Sequence, residues 1–331
     1  MKLVSLDNQS DSRIALFMDQ CVYDLHTLDH RIPTSMSVFL EGGEKTMEWA
    51  RRAEEQITAE KDHPAKVSAF QLLAPVPKPA SLRDAYAFRQ HVETSRLNRG
   101  LSMIAAFDEF PVFYFSNHRS IFGEGDIFCE RDHFNKLDFE LEVAIVLNRK
   151  GKNIPAHCAD EYIAGYMIMN DFSARNLQME EMQLSLGPAK GKDFATTFGP
   201  WLVTTDELMP YKVDTPKGHE GKVFSLEMVA KLNGERISSG NLADMNWTFA
   251  EIIERCSYGV DLFPGDIIGS GTVGTGCLLE LNGTARRENP SCPERWLQPM
   301  DQVVLEVDGL GILENRLINR AEEWRIFKHP R

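Results

Sequence analysis

The stretch LDFELEVAIV, residues 137–146, constrains the fold of this 331-residue chain more than any other. Its alternation, its β-branched and aromatic residues and its apolar end predict a β-strand. Glu140 and Glu142 lie two residues apart, so a strand would point both carboxylates to one face. The apolar run that follows is typical of a central strand, and two like charges repel each other when they are buried there.

Two interpretations of this glutamate pair are open from the residues alone. An edge strand whose polar face meets solvent is the more common situation for paired glutamates. A hard divalent cation would instead offset the repulsion in a central strand, since Mg²⁺ and Ca²⁺ take oxygen ligands.

Composition narrows the class of protein. A net charge of −13 argues against binding to nucleic acid or to an anionic membrane. The sequence has neither an apolar run of membrane-spanning length nor a signal-peptide pattern at its start. Its six cysteines are scattered, without a CxxC pair, which indicates reduced thiols. We therefore expect a cytoplasmic protein.

The pattern of elements predicts a mainly β protein with α-helices, an α+β fold built on a rolled or mixed sheet. Residues 1–75 are predicted to form a small N-terminal α/β unit with three short strands and a helix, and the proline-rich LAPVPKPA follows as a linker. Residues 76–331 would form the second domain. It contains a hairpin with Asn233-Gly234 at its turn and the amphipathic helix NWTFAEIIERCSYGV.

Asp84 and His91 are predicted to lie on one helix, SLRDAYAFRQHVETSRL, and a spacing of seven would place them on one face. A solvated surface helix is the simpler interpretation. The functional interpretation makes Asp84 a metal ligand and His91 a general base.

Asp171 follows the apolar run AGYMIM and is either a turn or helix-cap residue or a further metal carboxylate at a strand end. If a helical turn begins there, Asp171, Arg175 and Gln178 share one face and could bind a metal and an anion together.

Two glycine-containing stretches complete the set. PAKGKDFATTFGP contains Lys192 and Thr196 but lacks the spacing of a P-loop. The glycines of GDIIGSGTVGTGCLLEL indicate a backbone that approaches another group closely. Glu280 lies in its apolar end, which we predict to be a strand, and a buried histidine would be a suitable partner for it.

Together these stretches resemble the fumarylacetoacetate hydrolase (fumarylacetoacetase) superfamily. DAYAFRQHV, LDFELEVA, MNDFSARNLQ, GKDFATTFGPWLV and GSGTVGTGCLLEL match its motifs in order, from about residue 80 to 285. The resemblance implies a mixed β-roll of the fumarylacetoacetase C-terminal type over residues 76–331, and a homodimer.

The resemblance also implies roles for individual residues. The site of a divalent metal, Mg²⁺ or Ca²⁺ with Mn²⁺ as an alternative, would comprise Asp84, Glu140, Glu142, Asp171, Lys192 and Thr196. The catalytic residues would be His91 as general base, its partner Glu280, and Arg175, Gln178 and Lys192. Substrate contacts would come from Tyr114, Arg175, Gln178 and Thr272.

The implied reaction is metal-dependent hydrolysis of a C–C bond in a β-diketone-type acid, such as an acylpyruvate or a fumarylacetoacetate-like acid, in the catabolism of aromatic compounds. Decarboxylation of a 2-oxo acid, hydration and isomerisation are the alternatives within the superfamily, and a non-catalytic ligand-binding protein is a further one. The His91–Glu280 match favours hydrolysis. The loops that would face substrate differ from those of fumarylacetoacetase, so they leave the substrate open.

Overall fold

The computed structural model describes residues 1–8, 12–59, 64–321 and 324–326. The strands in these residues are β1 (Lys2–Asp7), β2 (Ser12–Met18), β3 (Cys21–Asp24), β4 (Ser81–Ala85), β5 (Phe113–Ser116), β6 (Ile121–Phe122), β7 (Gly125–Cys129), β8 (Leu137–Asp138), β9 (Leu141–Leu147), β10 (Gly151–Lys152), β11 (Ile163–Asp171), β12 (Ser173–Ala174), β13 (Thr196–Thr204), β14 (Lys212–Val213), β15 (Val223–Phe224), β16 (Glu227–Leu232), β17 (Glu235–Asn241), β18 (Asp261–Leu262), β19 (Asp266–Gly269), β20 (Gln302–Val307) and β21 (Gly311–Asn319).

The α-helices in the same residues are α1 (Leu25–Leu28), α2 (Met36–Glu41), α3 (Gly43–Ala59), α4 (Arg89–Leu97), α5 (Ala156–Ala159), α6 (Arg175–Met182), α7 (Phe249–Ser257) and α8 (Leu278–Glu288). Short 3₁₀ turns lie at Ala105–Asp108, Asp160–Tyr162, Ala189–Gly191, Thr205–Tyr211 and Leu242–Asp244. No helix in the described part of the chain is both long enough and apolar enough to cross a membrane.

The larger sheet runs in the order β3-β2-β1-β13-β11-β9-β19-β4-β5, and β6 pairs with β13 beside it. Strand β9 lies near its middle and pairs antiparallel with β11 and β19. Val143 and Ile145 on β9 belong to one hydrophobic core, whereas Ala144 and Val146 belong to another. Both faces of the strand are buried, so the prediction of a central strand is confirmed.

The second sheet has the order β17-β16-β20-β21-β7. Met228, Leu305 and Leu313 of this sheet share a core with Ile145 of the larger sheet, so the two sheets pack against each other. The predicted hairpin at Asn233-Gly234 joins β16 to β17, and the predicted amphipathic helix is α7. The mixed α+β fold class is confirmed.

The N-terminal segment is continuous with the larger sheet. Strand β1 pairs antiparallel with β13, and α2 and α3 cover the helix-side face of the sheet, where Phe39 and Met47 are buried. The predicted three strands and helix are present. The division into domains at residue 75 stays a prediction.

The prediction of one helix over SLRDAYAFRQHVETSRL is wrong in its first half. Residues 81–85 form β4, which pairs with β19 on one edge and β5 on the other, and α4 begins only at Arg89. Ser81 Oγ donates to Asp266 Oδ1 at 2.6 Å, across the β4–β19 pair. Tertiary pairing on both edges outweighs local propensity here. Asp84 and His91 therefore belong to different elements and do not share a helix face.

The strand predicted at Glu280 is wrong, whereas the strand end predicted for Asp171 is confirmed. Glu280 lies in the first turn of α8 rather than in a strand, because a short apolar run does not distinguish strand from helix by periodicity. Asp171 is the last residue of β11, and α6 begins at Arg175 after the short strand β12. Arg175 and Gln178 do share the helix, whereas Asp171 lies on the sheet and accepts from Lys192.

Candidate active site

Three predicted carboxylates meet at one edge of the larger sheet. Asp84 lies near the C-terminal end of β4, Asp171 ends β11, and Glu142 is the second residue of β9. Strand β9 runs opposite to β11 and to β19, and β4 is parallel to β19. The two C-terminal strand ends and the N-terminal start of β9 therefore share one edge.

Alternation along these strands places all three acids on one face of the sheet. Leu82, Ala144 and Met169 each lie two residues from one of the acids and pack into the helix-side core. Glu140, just before β9, joins the group: one oxygen from each of Asp84, Glu140 and Glu142 lies within 4.8 Å of the others. The sequence prediction that the two glutamates point the same way agrees with this geometry.

Glycines on and after β19 make room for Asp84. A Cβ at Gly269 would lie 2.4 Å from Asp84 Oδ1, and one at Gly271, whose φ is +77°, would lie 2.6 Å from the carbonyl oxygen of Ala85. The N–H of Gly271 donates to Asp84 Oδ1 at 3.1 Å. The close backbone approach predicted for GDIIGSGTVG is therefore an approach to the acidic cluster.

Two buried cations face the same cluster. Lys192 Nζ donates to Asp171 Oδ2 at 2.7 Å and also to Glu140. Arg175 Nη2 donates to Glu140 Oε1 at 2.8 Å, and its Nη1 donates to Gln178 Oε1 at 3.0 Å. A Cβ at Gly191 would lie 2.6 Å from the Cβ of Gln178, so this glycine lets the Lys192 turn pack against α6.

The two buried cations do not compensate the negative charge of every acid in the cluster. Burial raises the pKa of Asp84 to about 7, and the charge of Asp171 adds to this effect. Burial, and then the charges of Asp84 and Glu140, raise the pKa of Glu142 well above its usual range. Burial also acts to raise the pKa of Glu140, but Lys192 and Arg175 outweigh it and hold that pKa at about 2. Asp84 and Glu142 therefore form the side of the cluster whose negative charge Lys192 and Arg175 do not compensate.

The donor set at this side fits a hard divalent cation. Glu142 is fully buried, and its Oε2 has no hydrogen-bond partner among the described residues. Mg²⁺, Ca²⁺ and Mn²⁺ take carboxylate oxygens, and Asp84, Glu140, Glu142 and Asp171 supply them. Such binding would displace protons from Asp84 and Glu142, so affinity for the metal should rise with pH.

His91 and Glu280 form a buried pair beside this cluster. His91 Nδ1 lies 2.6 Å from Glu280 Oε2, and both side chains are less than a tenth exposed. The ring of Tyr86 packs edge-on against His91, with 5.8 Å between ring centroids. The carboxylate and the tyrosine fix the imidazole plane, and a carboxylate at Nδ1 leaves Nε2 as the nitrogen that can accept a proton.

A cavity of about 1200 Å³ connects these groups. Most of the predicted site residues line it: Asp84, His91, Tyr114, Glu140, Arg175, Gln178, Lys192 and Thr272. The Tyr114 hydroxyl donates to Asp171, and Thr272 Oγ1 donates to Glu142 Oε1 at 3.3 Å. Thr196, opposite Asp171 in the β11–β13 pair, donates to Asp171 Oδ1 at 3.4 Å. Tyr114 and Thr272 thus both contact the acidic cluster and face the cavity.

Comparison with known proteins agrees with the motifs. The family described as fumarylacetoacetate (FAA) hydrolase C-terminal matches residues 81–318. This chain belongs to the fumarylacetoacetate hydrolase family. The family is enzymatic and includes hydrolases, tautomerases and isomerases.

Two relatives show how far the similarity extends. The fumarylacetoacetase of Arabidopsis thaliana is 36% identical over 209 residues, which are 54% of this chain and 49% of that protein. The chain thus spans about half the length of the fumarylacetoacetases of Arabidopsis thaliana and Oryza sativa. The oxaloacetate tautomerase YisK of Bacillus subtilis is 27% identical over 316 residues, which cover 90% of this chain and 93% of that protein.

Solved structures share the fold over nearly the whole chain. A protein of Mycobacterium smegmatis described as HpcE has a TM-score of 0.74 and 26% identity, over 97% of this chain and all of that one. Maleylpyruvate hydrolase from Sphingobium sp. SYK-6, in complex with manganese(II) and pyruvate, has a TM-score of 0.66 at 18% identity, over 96% of this chain and 99% of that one. At 18% identity, the likeness to maleylpyruvate hydrolase shows a shared fold and nothing more.

Sequence reasoning missed Asp138, which connects several parts of the site in this family member. Its fully buried carboxylate accepts from Arg175 Nε at 2.9 Å and from the N–H groups of Leu278 and Leu279 at 2.7 and 2.9 Å. It therefore holds the start of α8, which carries Glu280, against the guanidinium that contacts Glu140. The only signal in the sequence was a charged residue at the start of an otherwise buried strand.

Replacing Asp138 with Ala should lower the free energy of unfolding by about 3–5 kcal/mol, because it leaves the buried Arg175 guanidinium without one of its two carboxylate partners. Urea unfolding measures this loss. Asp126→Ala is the matched control, since its bidentate pair with Arg316 lies on the surface, and a much smaller loss is expected there. Equal losses in the two variants would contradict a central role for Asp138.

Proposed function

We propose that this protein is a metal-dependent hydrolase that cleaves a C–C bond in a β-diketone-type acid, an acylpyruvate or a fumarylacetoacetate-like acid. The buried His91–Glu280 pair, which lies in the same cavity as a carboxylate cluster suited to a hard cation, is the observation that carries this proposal. Hydrolysis needs a base for water, and an imidazole oriented by a carboxylate is suited to that task near neutral pH.

A bound divalent cation, held by Asp84, Glu140, Glu142 and Asp171, would act as a Lewis acid on carbonyl oxygens of the substrate. His91 Nε2 would take a proton from water, and Glu280 would stabilise the imidazolium that results. Water adds to the carbonyl carbon, the C–C bond breaks, and His91 can return its proton to the leaving carbon.

The developing oxyanion needs positive charge close by. Arg175 and Lys192 are buried and permanently charged, since their contacts with acids keep the pKa of each above its usual range despite burial. Gln178, fixed by Arg175, presents its amide to the same cavity. A preorganised set of this kind stabilises charge that appears in the transition state.

The cavity as a whole favours an acidic substrate. Its lining among the described residues includes seven Lys or Arg residues but only three Asp or Glu residues, in a chain whose net charge is −13: Arg96, Arg99, Lys136, Arg175, Lys192, Arg286 and Arg287 against Asp84, Glu140 and Glu294. Apolar side chains such as Leu97, Ile104 and Met182 line the same cavity. A small organic acid with an apolar portion suits this lining.

Tautomerisation or another isomerisation of a 2-oxo acid is the second candidate. The likeness to the oxaloacetate tautomerase YisK extends over 90% of this chain, whereas the fumarylacetoacetase of Arabidopsis thaliana is similar over 54% of it and that of Mus musculus over 81%. The same buried base and cation set could move a proton between carbon and oxygen without adding water. The proposal also includes three properties that rest on the family resemblance. These are a homodimer, a cytoplasmic location and a role in aromatic catabolism.

A substrate panel separates the candidates. Acylpyruvates, fumarylacetoacetate-like acids, oxaloacetate and other 2-oxo acids are incubated with the protein and Mg²⁺ or Mn²⁺, and products are followed by NMR with and without EDTA. We expect two acids from a diketo acid and no turnover in EDTA. Proton exchange at carbon without C–C cleavage would favour tautomerisation, and release of CO₂ from a 2-oxo acid would favour decarboxylation.

A further inference from the structure

One thiol lies beside the proposed base and has no role in the mechanism above. Cys277 is fully buried, and a ligand atom from each of Cys277, His91 and Glu280 lies within 4.8 Å of the other two. These atoms are a sulfur, an imidazole nitrogen and a carboxylate oxygen. The acidic triad at Asp84, in contrast, offers only oxygen.

The fold holds the three donors firmly in place. Cys277 is the N-cap residue of α8, and Glu280 lies in the first turn of that helix. Burial, and then the charge of Asp138, raise the pKa of the Cys277 thiol well above its usual range, so a cation that binds here must displace the thiol proton. His91 lies on α4, which packs against α8, and its Nδ1 is already 2.6 Å from Glu280.

An unsatisfied atom points to a missing ligand. Glu280 is only 1% exposed, and its Oε1 has no hydrogen-bond partner among the described residues. A buried carboxylate oxygen without a partner is costly unless something positive binds it. His91 lines the cavity, so a cation can reach this group from the same opening as the substrate.

We propose that His91, Cys277 and Glu280 form a second metal site, selective for Zn²⁺ and similar thiophilic cations, and that its occupation inhibits the enzyme. A sulfur, nitrogen and oxygen set with an open fourth position is typical of zinc, whereas the all-oxygen set suits Mg²⁺. Of the two sites in this cavity, one would thus bind soft cations and the other hard cations.

The inhibition follows from the bonding and rests on the proposed function. Zn²⁺ takes the lone pair of His91 Nδ1, a Glu280 oxygen and the Cys277 sulfur, and the thiol proton leaves to solvent. The proton formerly on Nδ1 then resides on Nε2. Nε2 has no free lone pair in that state, so it cannot accept a proton from water.

Cobalt provides a direct test of binding. The full chain is saturated with Mg²⁺ and titrated with Co²⁺ while thiolate-to-cobalt charge-transfer absorbance is recorded. We expect the band in wild type and in Cys256→Ser, a matched control on the buried thiol of α7, and no band in Cys277→Ser. Serine is a good N-cap residue, so the variant should keep α8 intact. The absence of the band in wild type, or its presence in Cys277→Ser, would overturn the site.

Zinc inhibition is then measured in the same Mg²⁺ excess, relative to the zinc-free activity of each variant. We expect the zinc concentration that halves turnover to rise roughly tenfold or more in Cys277→Ser and to stay unchanged in Cys256→Ser. Equal zinc sensitivity in both variants would overturn the proposal. If wild type shows the cobalt–thiolate band but keeps its full turnover in zinc, the metal site is supported and His91 is not the general base. The metal site and the proposed function can therefore fail separately.

Discussion

Replacing His91 with Ala should lower kcat by a factor of about 10²–10⁴ on the best substrate of the panel, because a positioned general base contributes a rate factor of that size. Binding of Mg²⁺ should persist, since the carboxylates of the acidic cluster come from the sheet and not from α4. Steady-state kinetics measures the first effect, and the Mg²⁺-dependent increase in melting temperature measures the second.

Two additional variants separate the loss of a base from the loss of structure. His91→Gln keeps an N–H donor that can reach Glu280 but has no titratable nitrogen, so it should lose activity with less damage to folding. His157→Ala removes an exposed histidine from α5 and should leave kcat unchanged. If His91→Ala kept kcat within about threefold of wild type, the assignment of the base would be wrong, since that loss is far below the rate factor of a general base.

The acidic cluster could be predicted from the sequence because strand periodicity is strict. Glu140 and Glu142 are two apart, and the apolar run after them indicated a central strand, so a shared buried face followed directly. The structure adds why the other acids join them. Asp84 and Asp171 end strands that run opposite to β9, and this register is set by long-range pairing that no local pattern contains.

The elements that carry the other residues were harder to predict. Asp84 and His91 were assigned to one helix because their spacing of seven fits an α-helix, yet β19 and β5 pair with the first half of that segment. Glu280 was placed in a strand, although it lies in α8. Residue types thus indicated which side chains could form a site, whereas tertiary hydrogen bonding determined the backbone that carries them.

Asp138 shows a different limit of sequence reasoning. Apart from the adjacent Phe139 N–H, its backbone and guanidinium partners are 37 to 141 residues away in the chain, so no sequence pattern around it indicates its role. A buried carboxylate of this kind is recognised only when its donors are known. The same holds for Cys277, whose importance depends on His91, 186 residues earlier in the chain.

Replacing Glu142 with Gln should abolish the stabilisation that Mg²⁺ gives, together with turnover. In wild type, Mg²⁺ at about 100 times its Kd should add about 2.7 kcal/mol to the free energy of unfolding by mass action, and the variant should gain close to nothing. The variant replaces a carboxylate by a neutral amide, so the site loses one negative charge that would bind the cation. Chemical unfolding with and without Mg²⁺ measures both values.

The stabilities of metal-free wild type and metal-free Glu142→Gln distinguish a metal ligand from a purely structural residue. Burial, and then the charges of Asp84 and Glu140, raise the pKa of Glu142 well above its usual range, which favours the neutral acid without a cation, and glutamine closely resembles that form. We therefore expect the metal-free variant to be at least as stable as metal-free wild type, to within about 1 kcal/mol. A purely structural glutamate would give the opposite result, namely a large loss of stability in EDTA and an unchanged response to Mg²⁺.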